Sequence, residues 1–191
     1  VSGVLSVSTA HALLAGTSTT WVLSGGGTPF ALSGAFLVEN ATVRYAALGA
    51  SANVPPTTYA RLEFSATGAA LPTYTMGAGA FTIGGPLLIG NATGSAIVLT
   101  ANTNDPAILA EGDVSVLSGA TLVASDIGNF TARRNWTNQG TMTASGGTIV
   151  FDATTTGFSI NPGNSSFANV IASSTAGGWT ITAHPTTTGN H

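Results

Sequence analysis

The sequence predicts an all-β chain, a parallel β-solenoid built from two diverged repeats, with a β-sandwich or jelly roll as the alternative architecture. Three observations lead there. No window of about 11 residues keeps the apolar period of about 3.6 residues that marks a helix, and the many glycine and β-branched residues also oppose helices. Turn signals recur at intervals of roughly 8 to 12 residues, the spacing of short strands. Among them are Ser33-Gly34, Gly84-Gly85-Pro86, Gly90-Asn91, Glu111-Gly112, Ser118-Gly119, Asn161-Pro162-Gly163 and Gly177-Gly178. Each is expected to put Gly or Asn where the backbone takes a positive φ. The chain also matches itself: GTMTASGGTIVF (140–151) falls on GAFLVENATVRY (34–45), with Gly140 on Gly34 and Phe151 on Tyr45.

The first unit runs from about residue 3 to 85. It opens on Val1-Ser-Gly-Val-Leu-Ser-Val7, and residues 2–26 resemble residues 118–142, which sets Trp21 over Trp136 as core bulk. In Tyr59-Ala-Arg-Leu-Glu-Phe64 the two-residue alternation turns Leu62 and Phe64 to one face and Arg61 and Glu63 to the other. Thr73-Tyr-Thr-Met76 puts Tyr74 and Met76 inside. An intervening piece spans 86–117. The second unit spans about 118–191, where SSFANVIAS (165–173) falls on TTYARLEFS (57–65) and GGWTITA (177–183) on LPTYTMG (71–77). Trp179 and Ile181 then point inward, with Thr180 and Thr182 out. The second unit ends where a further intervening piece would begin, which suits a stack of coils better than a closed sandwich. Apolar runs such as Ala96-Ile-Val-Leu99 and Thr148-Ile-Val-Phe151 also suit parallel strands. One β-domain over residues 1–191 is expected.

Hydrophobic residues make up 43% of the chain but charged residues only 6%, against an average of about 25% in globular proteins. Its surface must therefore be Ser, Thr, Asn, Ala and Gly. The four cations are Arg44, Arg61, Arg133 and Arg134, and the net charge of −3 argues against a nucleic-acid partner. Every apolar run is broken long before the roughly 18 residues of a membrane-spanning helix. With no cysteine, disulfides and thiolate chemistry are excluded. A first residue that is not Met, with few charges and much Ser and Thr, fits a secreted chain freed of a leader.

The string GTIVFDATTTGFSINPGNSSFANVIASSTAGGWTITAHPTTTGN (147–190) resembles the repeats of large bacterial surface and secreted proteins, the filamentous-haemagglutinin-like adhesins. The shared elements are GT-V-F, a G-x-I turn, F-x-N-V and a G-G-x-W-T-I strand. The resemblance implies a right-handed β-helix in an extracellular scaffold or adhesive fibre, and it carries no catalytic residue over.

No constellation of acids and bases suggests catalysis, and no cofactor or metal is expected. Asn102-Thr-Asn-Asp105 with Glu111 and Asp113 is the one acidic cluster, without the Asp-x-Asp-x-Asp-Gly spacing of a calcium loop. His11, His184 and His191 lack partners at i+2 or i+4, and no Gly-x-Ser-x-Gly occurs. Arg133 and Arg134 are the only adjacent basic pair. One is expected to pair with Asp126, or the two meet an acidic patch on a neighbouring subunit. Sequons at Asn40, Asn91, Asn129, Asn135 and Asn164 are the candidate glycosylation sites. The pairs Thr73/Thr75, Thr141/Thr143 and Thr180/Thr182 would form a hydroxyl-and-methyl array if they stacked.

A solenoid leaves two open rims that need capping or recruit another chain. Neither end carries the Lys, Pro or helix of a cap. Candidate subunit contacts are therefore Val1, Val4, Leu5, Val7, Arg133, Arg134, Thr186, Thr187 and Thr188. The expected function is a non-enzymatic extracellular protein that polymerises head to tail with copies of itself into a cell-surface filament. Rival readings are an adhesin module that binds surface glycans or ice, and a polysaccharide-degrading enzyme on a β-helix.

Overall fold

The chain is all-β, and its strands come in threes. The computed structural model describes residues 3–14, 16–49, 51–68, 71–94, 96–174, 176–183 and 186–187, which hold 25 strands and no helix. The first coil is β1 (Leu5–Val7), β2 (Ala12–Leu14) and β3 (Thr20–Leu23), and the second is β4 (Phe30–Leu32), β5 (Ala35–Leu37) and β6 (Thr42–Ala47). The third is β7 (Ala52–Val54), β8 (Thr58–Tyr59) and β9 (Arg61–Ala66), and the fourth β10 (Thr73–Met76), β11 (Ala80–Ile83) and β12 (Leu87–Ile89). The fifth is β13 (Ile97–Thr100), β14 (Ala107–Ala110) and β15 (Val114–Val116), and the sixth β16 (Ala120–Val123), β17 (Asn129–Ala132) and β18 (Trp136–Asn138). The seventh is β19 (Thr141–Thr143), β20 (Thr148–Phe151) and β21 (Phe158–Asn161), and the eighth β22 (Ser166–Phe167), β23 (Asn169–Ala172) and β24 (Trp179–Ile181); β25 (Thr186–Thr187) follows.

Strands pair with their counterparts one coil away, and all the pairings among described residues are parallel, which makes the fold a β-solenoid and not a sandwich. The first strands of the coils form face I, the second face II and the third face III. Thr42 pairs with Arg61 but Leu87 with Val114, a longer step along the chain, so coil length varies while register holds. Face III is one eight-stranded sheet. Face I is interrupted twice and face II once.

Different side chains pack near the two interruptions of face I. Between the second and third coils one bridge, Gly27 with Ala52, replaces strand pairing. Near it the rings of Phe30, Phe36 and Tyr59 pack in sequence, with centroids 5.0 and 6.1 Å apart. Between β19 and β22 the buried Asn138 takes an inward position. Its Nδ2 donates to the Pro162 carbonyl at 3.1 Å and to Ser165 Oγ at 3.0 Å, and its Oδ1 accepts from the Gly140 N–H at 3.0 Å. This polar knot fixes the turn before β22.

The core is a set of columns along the axis. On face III, Trp21, Val43, Leu62, Leu87, Val114, Trp136, Ile160 and Ile181 stack in register, as the two-residue alternation requires. Trp21 and Trp136 do share a column, and Leu62, Phe64, Tyr74 and Met76 are all buried, as expected. The rest of the long self-match is out of phase: Phe151 lies on face II and Tyr45 on face III, while Trp179 lies on face III and Tyr74 on face I. The structural period is the single coil, and residues 86–117 stack within it like their neighbours.

The glycine reading needs a correction. Gly90, Gly119 and Gly163 do take positive φ. At Gly34, Gly112 and Gly177 the constraint is room: a Cβ would meet backbone atoms of the preceding coil 2.2 Å away. The Arg133 partner also differs from the expectation. Arg133 pairs with Glu111 (2.7 Å) and Asp152 (3.3 Å), not Asp126, because these three residues follow β17, β14 and β20 at one level of the same corner. Glu111, its first and nearest partner, raises the Arg133 pKa further. A carboxylate–guanidinium–carboxylate ladder therefore ties three coils along the corner between faces II and III.

Candidate functional site

Both ends of the stack present open strand edges among the described residues. At the N-terminal end β1, β2 and β3 have strand neighbours on one side only among the described residues, β4, β5 and β6. At the other end β23, β24 and β25 likewise have a strand neighbour on one side only among the described residues. Inward side chains in the end coils are covered by no further coil among the described residues. Leu5, Leu13 and Trp21 at one end, and Val170 and Trp179 at the other, are only partly buried although they pack on the core. Ile181 heads the face III column and is 57% exposed, while the column's interior members are buried. It points as the sequence implied, in register with the buried Ile160. Val4, next to β1, is 63% exposed.

The candidate contacts fall in three groups. Val4 and Leu5 belong to the N-terminal end face, and Val7 is buried just inside it. Thr186 and Thr187 form β25 at the C-terminal end, while Val1 and Thr188 lie outside the described residues. Arg133 is held in its ladder, and Arg134 lies over the Phe158 ring at 5.3 Å while its carbonyl accepts from Trp179 Nε1. The basic pair thus braces the last coils from the side.

Of the sequon asparagines, Asn40, Asn129 and Asn164 are exposed. Asn91 Nδ2 donates to the Ala66 carbonyl, and Asn135 Nδ2 donates to Asp113 Oδ1 at 3.0 Å. The acidic cluster is dispersed: Asn104 and Asp105 sit before β14, Glu111 and Asp113 after it, at different corners. Among the described residues no three His, Asp or Glu side chains gather as metal ligands. His11 Nδ1 is 2.7 Å from Ser8 Oγ; His184 and His191 lie outside the described residues.

Sequence reasoning missed one carboxylate pair. Asp105, at φ 48°, accepts from Ser125 Oγ (2.9 Å) and the Asp126 N–H (3.1 Å). The Ser125 hydroxyl holds the Asp105 carboxyl below its usual range, and the hydrogen bond with Asp105 pushes Asp126 up. The two have opposite linkage. Asp105 adds stability above its unfolded pKa of about 3.9 and loses it as pH falls through its lower folded value. Asp126 adds stability only while protonated, and loses it as pH rises through its raised folded value. Asp126→Asn is therefore expected to raise the urea midpoint at pH 7, with the gain fading as acid protonates Asp126 in the parent. Asp105→Asn should lower the midpoint at pH 7, and this deficit should fade in acid too.

Comparison with protein-family models, curated proteins and solved structures gives no match.

Proposed function

We propose that this chain is a structural subunit that stacks end to end with copies of itself into an extracellular filament. The observation that carries the reading is the face III column, whose interior residues are buried while its terminal members, Trp21 and Ile181, keep solvent exposure at opposite ends. A further coil laid on either end continues the column and gives the end strands a second neighbour. The end surfaces differ from one another, so the contact is heterologous and propagates.

Magnitudes decide which part of the contact matters. Covering the exposed part of Leu5, Leu13, Trp21, Val170, Trp179 and Ile181 contributes about 1 kcal/mol each. That total, about 6 kcal/mol, only balances the association cost of about 4–15 kcal/mol. Strand pairing, at about 0.5–1.5 kcal/mol per hydrogen bond, must supply the surplus. Parallel registration of three strands at once therefore governs assembly. The scarcity of charge and the exposed amides of Asn40, Asn129 and Asn164 favour a surface location in which attached sugars solubilise the filament.

Paired end variants test this by light scattering and electron microscopy. The parent should form filaments, and Trp21→Lys or Ile181→Lys alone should stay monomeric. Mixed, they should form a 1:1 dimer and stop, because each supplies the end that the other lacks. Ile127→Lys, at an exposed corner away from both ends, should still polymerise. A monodisperse parent at millimolar concentration, or a homodimer from either single variant, would overturn the head-to-tail reading.

A further inference from the structure

Face I carries an outward surface unlike the other two. Its alternation buries Tyr74, Leu99, Leu122 and Met142 and leaves two outward columns over the four coils from β10 to β19. One column is Thr73, Val98, Thr121 and Thr141; the other is Thr75, Thr100, Val123 and Thr143. All eight residues are β-branched, six are threonine, and valine has threonine's shape. Such side chains are stiff at χ1, so the array is ordered before anything binds it. The six hydroxyls make no hydrogen bond among the described residues, and no charged residue lies on these strands. On face II the matching positions are Thr82, Leu109, Thr131 and Val150, with Ala80, Ala107, Asn129 and Thr148 beside them, which differ in length.

We propose that this face binds ice, with crystalline water as its one ligand. Successive coils repeat at about 4.8 Å, and alternate residues along a strand at about 6.7 Å. Water oxygens bonded at about 2.75 Å in tetrahedral geometry place second neighbours about 4.5 Å apart. The mismatch of about 0.3 Å per coil accumulates to only about 0.9 Å over four coils, well under half a lattice step. Along each column the hydroxyls can therefore keep step with water sites while the methyl groups between them hold water in cages. An uncharged face suits the assignment, since an ion would carry its own hydration shell into the lattice. The inference is independent of filament formation: the face lies along the side of the stack, clear of both ends.

The test is uptake into a slowly growing ice hemisphere, together with crystal shaping and thermal hysteresis. Trp21→Lys serves as background so that assembly does not contribute. The protein should enter ice and shape crystals. Adding Thr121→Tyr, which raises a bulky ring at the centre of face I, should lower hysteresis at equal concentration at least tenfold. Adding Thr131→Tyr on face II should leave it within twofold. Circular dichroism would confirm that both variants keep the β fold. Exclusion from ice at millimolar concentration would overturn the proposal. So would equal losses in folded Thr121→Tyr and Thr131→Tyr variants, or binding to microcrystalline cellulose without any effect on ice.

Discussion

Replacing Trp136 with alanine should cost the fold about 3–5 kcal/mol, the range for deleting a fully buried large aromatic side chain. The indole is wholly buried in the sixth coil. It meets Phe130, Phe151 and Phe167 edge to face at 5.3, 6.1 and 5.7 Å, with Phe167 contributed from face I across the interior. Three such pairs add about 0.5–1.5 kcal/mol each beyond area burial. Removing the ring opens a cavity between backbones that are fixed by hydrogen bonds to the coils on either side, so the site cannot collapse around it. Trp136→Phe should cost less than half as much. Phenylalanine fills most of the space, and the Trp136 indole N–H has no hydrogen-bond partner among the described residues, a burial penalty of about 1–3 kcal/mol that the change relieves. In the non-assembling Trp21→Lys background, Ile181→Ala, in the same column but open to water, should cost under about 1 kcal/mol. Urea unfolding followed by far-UV circular dichroism measures all three. Because contacts along the stack are short-ranged, Trp136→Ala should also broaden the transition as the stack divides at the lesion. Equal losses at Trp136 and Ile181 would mean that the column does not hold the stack together.

The columns explain which parts of this architecture were legible in the sequence. Alternation in Tyr59–Phe64 and Thr73–Met76 settled which side chains point inward, because that depends only on the two-residue pleat. Parallel stacking followed from the internal repeat and from apolar runs such as Ala96–Leu99 and Thr148–Phe151. Phase was not legible. Every face repeats the same apolar–polar alternation in short strands, so a self-match can slide by one face at little cost, as it did for Phe151 and Tyr45. Unequal coils, with Thr42 over Arg61 in one and Leu87 over Val114 in another, blur the true period further. The Arg133 ladder was hidden for the same reason, since Glu111 and Asp152 become neighbours only once the register is known. The face I lattice was half visible: Thr73/Thr75 and Thr141/Thr143 stood out, but Val98/Thr100 and Thr121/Val123 between them did not. Thr180/Thr182 belongs to face III and lies outside it.

Three neighbouring glycines carry the sharpest test of that close stacking. Gly112→Ala should destabilise the protein by about 3 kcal/mol, the upper part of the usual range for overpacking. A Cβ at this corner would lie 2.2 Å from the Gly85 carbonyl carbon, 2.3 Å from its oxygen and 2.6 Å from Pro86 N. These are backbone atoms of the coil below, so no side chain can rotate away. The fourth and fifth coils would have to part, against the pairing of β12 with β15 and of β11 with β14 that holds them at strand spacing. Gly85→Ala should cost less, since its nearest contacts are the Ala60 carbonyl at 2.7 Å and the flexible Arg61 Cγ at 3.2 Å. Gly84→Ala, one residue earlier in the same turn, should be nearly neutral: its Cβ would find only ordinary contacts at 3.8 and 4.0 Å, and its φ is not in the left-handed region. A rule based on positive φ alone would rank all three glycines together as replaceable. Midpoints ordered Gly84→Ala, Gly85→Ala, Gly112→Ala from most to least stable would show that coil-to-coil distance, not local backbone freedom, demands glycine at this corner. If Gly112→Ala matches Gly84→Ala, the coils at this corner are not packed backbone against backbone.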